Sequence, residues 1–205
     1  MKGEMPKIYN QVMDIQRPES SQPIPPHAKR VFKGVLFDVY QWEQELFDGT
    51  TTVFEKIKRA DTVVVFSATQ DKRIIIVKEQ QPGEKPFVSL PGGRIDEGEN
   101  PLAAAKRELL EETGYASNRW SLWDARHIGS KIDWANYLFL AKDCVKSAQS
   151  IVDAGEKISL CLVSFDEFID IAKDERFRNI EVALALFRAV GDKRKFEELR
   201  TFLME

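Results

Sequence analysis

LPGGRIDEGENPLAAAKRELLEETGY, residues Leu90 to Tyr115, decides how this chain is read. After Leu90-Pro91 it turns at two glycines, Gly92 and Gly93, crosses an acidic loop, and enters a run of strong helix formers. Asn100 suits a helix cap, Pro101 a first turn and Gly114 a stop. At 3.6 residues per turn, Leu102, Ala105 and Leu109 share one side of that helix. Glu108, Glu111 and Glu112, spaced i, i+3 and i+4, share the other. Like charges so placed repel by about 0.2–0.5 kcal/mol per pair, and they sit toward the negative end of the helix dipole. A cation would offset both penalties. Hard divalent metals take oxygen ligands, and Mg²⁺ characteristically bridges carboxylates to substrate phosphates. One acidic pair alone would read as a solvated helix face; loop and helix spacing together point to a metal-binding helix.

Length and composition narrow the classes. The chain has 205 residues, 43% hydrophobic and 31% charged, which suits a globular protein of one domain, or of one with a small appendage. A net charge of -3 gives no electrostatic reason to expect nucleic acid or a membrane surface as the main partner. No apolar run approaches the roughly 18 residues of a membrane span, and the N-terminus has no apolar signal segment. Cys144 and Cys161 lie in strand-like surroundings, so free thiols in a reducing cytoplasm are expected. Neither has metal-ligand spacing with His27 or His127, which read as structural or solvated.

Residues 1–29, with Pro6, Pro18, Pro23, Pro25 and Pro26, read as an extended arm or an ordered strap. Residues 31–58 read as a β-hairpin turning at Asp48-Gly49, too small to be stable alone. Strands are expected at 62–68, 73–79, 87–90, 122–128, 134–141 and 157–163. Helices follow from the Ser164–Glu167 capping box to about Lys173, over 179–190, and over 193–204. Mixed strands and helices predict an α/β or α+β sandwich. The domain reading is an arm and β-hairpin appendage over residues 1–58, for dimerisation and base binding, with the main domain over 59–205.

The spacing Gly93-x5-Glu99-x7-Arg107-Glu108-Leu109-x-Glu111-Glu112-x-Gly114-Tyr115 resembles the signature of the Nudix hydrolases. Tyr115 stands where an aliphatic residue is usual. The resemblance implies an α/β/α sandwich around a mixed sheet and a hydrolase that cleaves a nucleoside diphosphate linked to a second group. It implies Mg²⁺, with Mn²⁺ as a substitute, bound by Glu108, Glu111, Glu112 and the Gly92 carbonyl. Glu99 and Arg107 would form a supporting ion pair. In relatives acting on ADP-ribose, a glutamate in a late loop activates water; Glu156, in Asp153-Ala154-Gly155-Glu156, matches that position, with Asp153 as the fallback.

The order of elements resembles the ADP-ribose pyrophosphatase branch, in which the N-terminal appendage is exchanged across a homodimer and helps bind the base. Phe54 matches a base-stacking position there, with Phe37 and Trp42 as secondary candidates; Gln81 and Arg94 complete the expected substrate contacts. No proline follows the signature in His127-Ile128-Gly129-Ser130-Lys131, Gln81 stands where an arginine is frequent, and LPGG replaces LPAG. The favoured substrate is ADP-ribose or a related sugar nucleotide. Dinucleoside polyphosphates, nucleoside triphosphates or another diphosphate are the alternatives, as is a module that binds a nucleotide without cleaving it.

Overall fold

Two sheets organise residues 15–150 and 157–205, which the computed structural model describes. The first begins with an antiparallel meander of β1 (Lys29–Lys33), β2 (Asp38–Glu45) and β3 (Thr51–Lys58). The turn between β2 and β3 falls at Asp48-Gly49, where Asp48 Oδ1 accepts from the Thr50 amide at 3.0 Å and hydroxyl at 2.7 Å. The other turn corrects the two-stranded reading of residues 31–58. The Gly34 amide donates to the Phe37 carbonyl at 2.8 Å, and a Cβ on Gly34 would collide with that oxygen and the Phe32 ring. VFKGVLFDVY reads as one strand by its apolar content, yet it folds back on itself there.

The second sheet contains β4 (Thr62–Thr69), β5 (Ile74–Gln80), β6 (Phe87–Ser89) and β7 (Gly92–Arg94), after which comes helix α1 (Pro101–Thr113). The chain continues through β8 (Tyr115–Ala116), β9 (Arg119–His127), β10 (Ile132–Asp133), β11 (Ala135–Lys146) and β12 (Lys157–Val163). It closes with helices α2 (Phe165–Ile171), α3 (Ile180–Val190) and α4 (Lys193–Met204). The strand path is β12-β5-β4-β11-β8, with β6 on β5, β7 on β4 and β9 on β11. β4 and β11 run parallel and the other pairs antiparallel, so the sheet is mixed. β10 leaves it and pairs in parallel with β3, closing the edge of the first sheet.

The central strands are apolar on both faces because helices cover both. Alternate residues part cleanly. Val64, Phe66, Ala68, Leu138 and Leu140 pack with α2, α3 and α4 through Phe168, Leu186 and Leu203. Val63, Val65, Tyr137 and Phe139 pack with α1 through Leu102, Ala105 and Leu109. Each large apolar side chain so buried contributes roughly 1.5–3 kcal/mol. The result is the expected α/β/α sandwich with a small N-terminal β appendage. Cys144 is buried and Cys161 half-buried, both as free thiols, and burial pushes the Cys144 thiol up to about 12. Among the described residues, no helix is long and apolar enough to cross a membrane.

The described part of the N-terminal arm is a strap across β2 and β3. Lys56 is buried on β3, and its ammonium donates to Ser20 Oγ at 2.7 Å and the Gln22 carbonyl at 2.6 Å. Arg17 donates to both oxygens of Asp61, at 2.7 and 2.9 Å, and to Asp133 Oδ1 at 3.0 Å. His127, mostly buried, also meets Asp133 Oδ1 at 3.1 Å, which is a structural use of that ring.

Candidate active site

Helix α1 starts where its cap residue says it should: Asn100 Oδ1 accepts from the Leu102 amide at 2.9 Å. It ends with the Gly114 amide donating to the Leu110 carbonyl at 2.7 Å. Its apolar side is pinned to the sheet, which sets Glu108 and Glu112 against the glycine turn, while Glu111, more exposed, meets Arg107. Gly93 lets the turn lie against Glu108: a Cβ there would stand inside the Glu108 carboxylate and push it aside. Gly92 presses equally closely on the Val63 backbone of β4, and its amide donates to Glu112 Oε2 at 3.1 Å. The turn and the helix therefore meet at two carboxylates. Tyr115, at the aliphatic position of the signature, is half-buried against the α1-side core with the Lys146 ammonium 5.3 Å from its ring centre.

Arg107 holds the acidic side chains together. Its Nε and one terminal nitrogen grip Glu99 at 3.0 and 2.9 Å, and that nitrogen also donates to the Arg94 carbonyl at 2.9 Å. The other terminal nitrogen reaches Glu108 at 2.8 Å and Glu111 at 3.2 Å. The guanidinium, with the Asp96 amide, holds the Glu99 carboxyl below the usual range. Glu108 goes the other way: burial raises its pKa, Glu111 and Glu99 add to the rise, and Arg107 only partly offsets it.

Among the described residues, no three aspartate, glutamate, histidine or cysteine side chains are gathered to hold a metal ion; Arg107 occupies the space between Glu108 and Glu111. The donors nonetheless fit a hard divalent cation in kind. All are carboxylate oxygens on one helix face, one of them is desolvated, and a glycine leaves room beside it.

A cleft of about 900 Å³ lies beside this cluster, between the first sheet and the loop from β7 to α1. Glu99 belongs to both, lining the cleft while it holds Arg107. Arg94, exposed at the end of β7, also lines the cleft. Tyr40, Arg59 and Arg17 line it too, and sequence reasoning singled out none of them. The Arg59 guanidinium lies 4.7 Å from the Trp134 ring centre and 5.8 Å from that of Phe37, with no ion pair among the described residues. Burial, and then Arg94, push its pKa down. Only the adjacency of Arg59 and Asp61 to an expected strand could have hinted at these residues.

The aromatic candidates fare differently. Phe37 is half-exposed, with the Arg59 guanidinium 5.8 Å from its ring centre, and does not itself line the cleft. Phe54 lies on the same face of the first sheet as Tyr40 but away from the cleft, tilted 6.0 Å from Trp42 with the Lys131 ammonium 5.0 Å above it. Trp42 is buried. Gln81 follows β5, and its carbonyl accepts from the Glu84 amide at 3.1 Å. β5 runs antiparallel to β4, so Gln81 stands at the same end of the sheet as Thr62 and Arg94, and Lys157 of β12 pairs with its neighbour Gln80. Glu156 and Asp153 lie outside the described residues.

Helices on both faces of a mixed sheet, with a glycine turn set against a carboxylate-bearing helix, define a class that comparison makes specific. The NUDIX domain model matches residues 58–185. The chain belongs to the NUDIX family and is a Nudix hydrolase. It is similar to a methanol dehydrogenase activator of Bacillus methanolicus, 28% identical over 78% of this chain and 88% of that protein. It is similar to an ADP-ribose pyrophosphatase of Bacillus subtilis, 27% identical over 77% of this chain and 87% of that one. A solved structure of an ADP compounds hydrolase superposes with a TM-score of 0.68 over 90% of this chain and all of that one, at 21% identity, a likeness of fold.

Proposed function

We propose that this protein is a divalent-metal-dependent pyrophosphohydrolase whose substrate is ADP-ribose or a related sugar nucleotide, cleaved to AMP and the sugar 5-phosphate. The observation that carries the reading is the meeting of Glu108 and Glu112 with the Gly92–Gly93 turn, beside a cleft of about 900 Å³ that presents Arg59 and Arg94, neither in an ion pair among the described residues. A cleft of that size holds a dinucleotide-sized ligand, and the two arginines offer charge to its phosphates. The similarity to an ADP-ribose pyrophosphatase favours that substrate over dinucleoside polyphosphates and nucleoside triphosphates.

In this reading Glu108, Glu111, Glu112 and the Gly92 carbonyl hold Mg²⁺, or Mn²⁺ in its place. When bound, the metal neutralises pyrophosphate charge and orients water for in-line attack. Arg107, gripped by Glu99, orients Glu108 and Glu111, as outer partners of metal ligands do. Glu156 takes the proton from the attacking water, since a separate carboxylate keeps a basicity that metal-bound ones lose. Arg94, Arg59 and Gln81 bind the substrate, and an aromatic of the first sheet, Phe54 or the cleft-lining Tyr40, stacks the base. Residues 1–58 act as the appendage of a cytoplasmic homodimer, with the hydrolase domain over 59–205. Pure protein with Mg²⁺ should release AMP from ADP-ribose faster than it cleaves diadenosine polyphosphates or nucleoside triphosphates. Turnover confined to a polyphosphate would overturn the substrate assignment.

A further inference from the structure

Three of the four helices among the described residues carry a side-chain N-cap: Asn100 on α1, Ser164 on α2 and Asp192 on α4. Helix α3 begins at an equally good cap residue, Asn179, which makes no capping hydrogen bond. A side-chain N-cap is typically worth about 1 kcal/mol, so its absence asks for a reason. The Asn179 Oδ1 is used elsewhere: it accepts from the Leu90 amide at 2.7 Å.

That bond falls at a particular place. The chain before α3 runs beside β6, with the Val88 amide donating to the Arg176 carbonyl at 2.9 Å and the Arg178 amide to the Val88 carbonyl at 2.8 Å. Asn179 continues this ladder by one step with its side chain, and the residue it reaches is the last before Pro91-Gly92-Gly93. Beyond it the Val65 amide holds the Pro91 carbonyl at 2.8 Å, and Glu112 holds the Gly92 amide at 3.1 Å. Three consecutive residues of the turn are thus fixed by three different elements: the start of α3, strand β4 and helix α1. Leu90 and Phe177 are buried in the same core, so the approach of Asn179 is set by packing.

We propose that Asn179 is a positioning residue of the active site: it gives up the α3 cap to fix the register of the glycine turn against Glu108 and Glu112. The proposal rests on the hydrolase reading above for its catalytic consequence, while its structural part stands without it. Two substitutions separate the roles. Asn179→Ser can cap α3 but is too short to reach Leu90, and Asn179→Asp keeps both an acceptor for Leu90 and a good cap.

The first readout is amide hydrogen exchange of the metal-free protein, compared with its melting temperature. In Asn179→Ser, Leu90 and Gly92 should exchange at least about tenfold faster than in wild type while α3 stays protected, and Asn179→Asp should match wild type. The second readout is the Mg²⁺ concentration for half-maximal turnover. It should rise about 10–100-fold in Asn179→Ser, the range seen when outer partners of metal ligands are lost, and return in Asn179→Asp. If Leu90 alone exchanges faster in Asn179→Ser, with Gly92 protection and Mg²⁺ requirement unchanged, Asn179 is only a local tie. If Asn179→Asp fails alongside Asn179→Ser, the acceptor role is wrong. A wild-type protein that hydrolyses nothing would sink the hydrolase reading and leave the exchange result standing.

Discussion

Glu112 makes the sharpest case for what one side chain does here, because Oε2 is already engaged with the Gly92 amide at 3.1 Å. Glutamine keeps an oxygen acceptor for that amide and removes the charge. Glu112→Gln should therefore fold with a near-wild-type melting temperature, bind Mg²⁺ about 10–100-fold more weakly, and lose most turnover. Full turnover at saturating Mg²⁺ would remove Glu112 from the ligand set. Glu156→Gln should behave differently: kcat lower by about 10²–10⁴-fold, the scale of general-base catalysis, with KM for ADP-ribose and the Mg²⁺ requirement little changed. If Glu156→Gln is fully active and Asp153→Asn is dead, the base is Asp153. The acidic residues were legible in the sequence because their relative positions are set by the helix repeat and by one tight turn, both local. The Glu99–Arg107 pair was what the resemblance to the Nudix signature implied, and the two side chains do meet at 2.9 and 3.0 Å. The further grip of Arg107 on Glu108 and Glu111 was not legible, since side-chain rotamers decide it. Arg59 and Tyr40 were invisible for a stronger reason: they reach the cleft only once β3 and β10 bring the first sheet beside β7.

At the scale of elements, the strap shows how a polar, proline-rich arm becomes ordered. Arg17 sits between Asp61 and Asp133, side chains only 18% and 14% exposed, and without it two largely buried carboxylates lose a charged partner. Hydrogen bonds to charged groups are worth about 1.5–3 kcal/mol, and the Arg17 side chain is 41% exposed, so Arg17→Ala should lower the unfolding free energy by no more than that order and move the urea midpoint down. An unchanged midpoint would mean that the strap adds nothing to stability. The acid dependence has a definite sign. Burial alone would raise the Asp133 pKa, but His127, Arg17 and Lys58 together bring it below the usual aspartate value. A folded pKa below the unfolded one means stability that is present above about pH 4 and lost as pH falls through the folded value. Unfolding monitored below about pH 4 should show this loss in wild type, and a weaker pH dependence in Arg17→Ala. The sequence left open whether residues 1–29 form an arm or a strap, because the proline spacing excludes helix and sheet without naming a partner. Long elements such as β4, β11 and α3 announced themselves by apolar content; β7, β8 and β10, two or three residues each, exist only through pairing and carry no period of their own.

For the whole molecule, the open matter is what covers the first sheet. Val31, Phe32, Leu36 and Val53 are 51–62% exposed, and Val35 and Phe47 are almost fully so. Large apolar side chains gathered on one small sheet mark an interaction surface, and a meander of this size gains stability by packing against something. The hydrolase domain already covers both faces of its own sheet with helices, so the uncovered apolar area on the appendage is best satisfied by a second copy of the chain. A second exposed stripe runs along α3 through Ile180, Leu184 and Phe187, at i, i+4 and i+7, and offers a rival interface. Light scattering at micromolar concentration should give twice the mass of the 23.5 kDa chain. A glutamate in place of Phe32 puts an unpaired charge into the proposed contact and should yield a monomer with the hydrolase core still folded, whereas Leu184→Glu should leave the dimer intact. The reverse pattern would move the interface to α3. A monomeric wild type would count against exchange of the appendage and leave base binding to residues of the same chain, Tyr40 first among them.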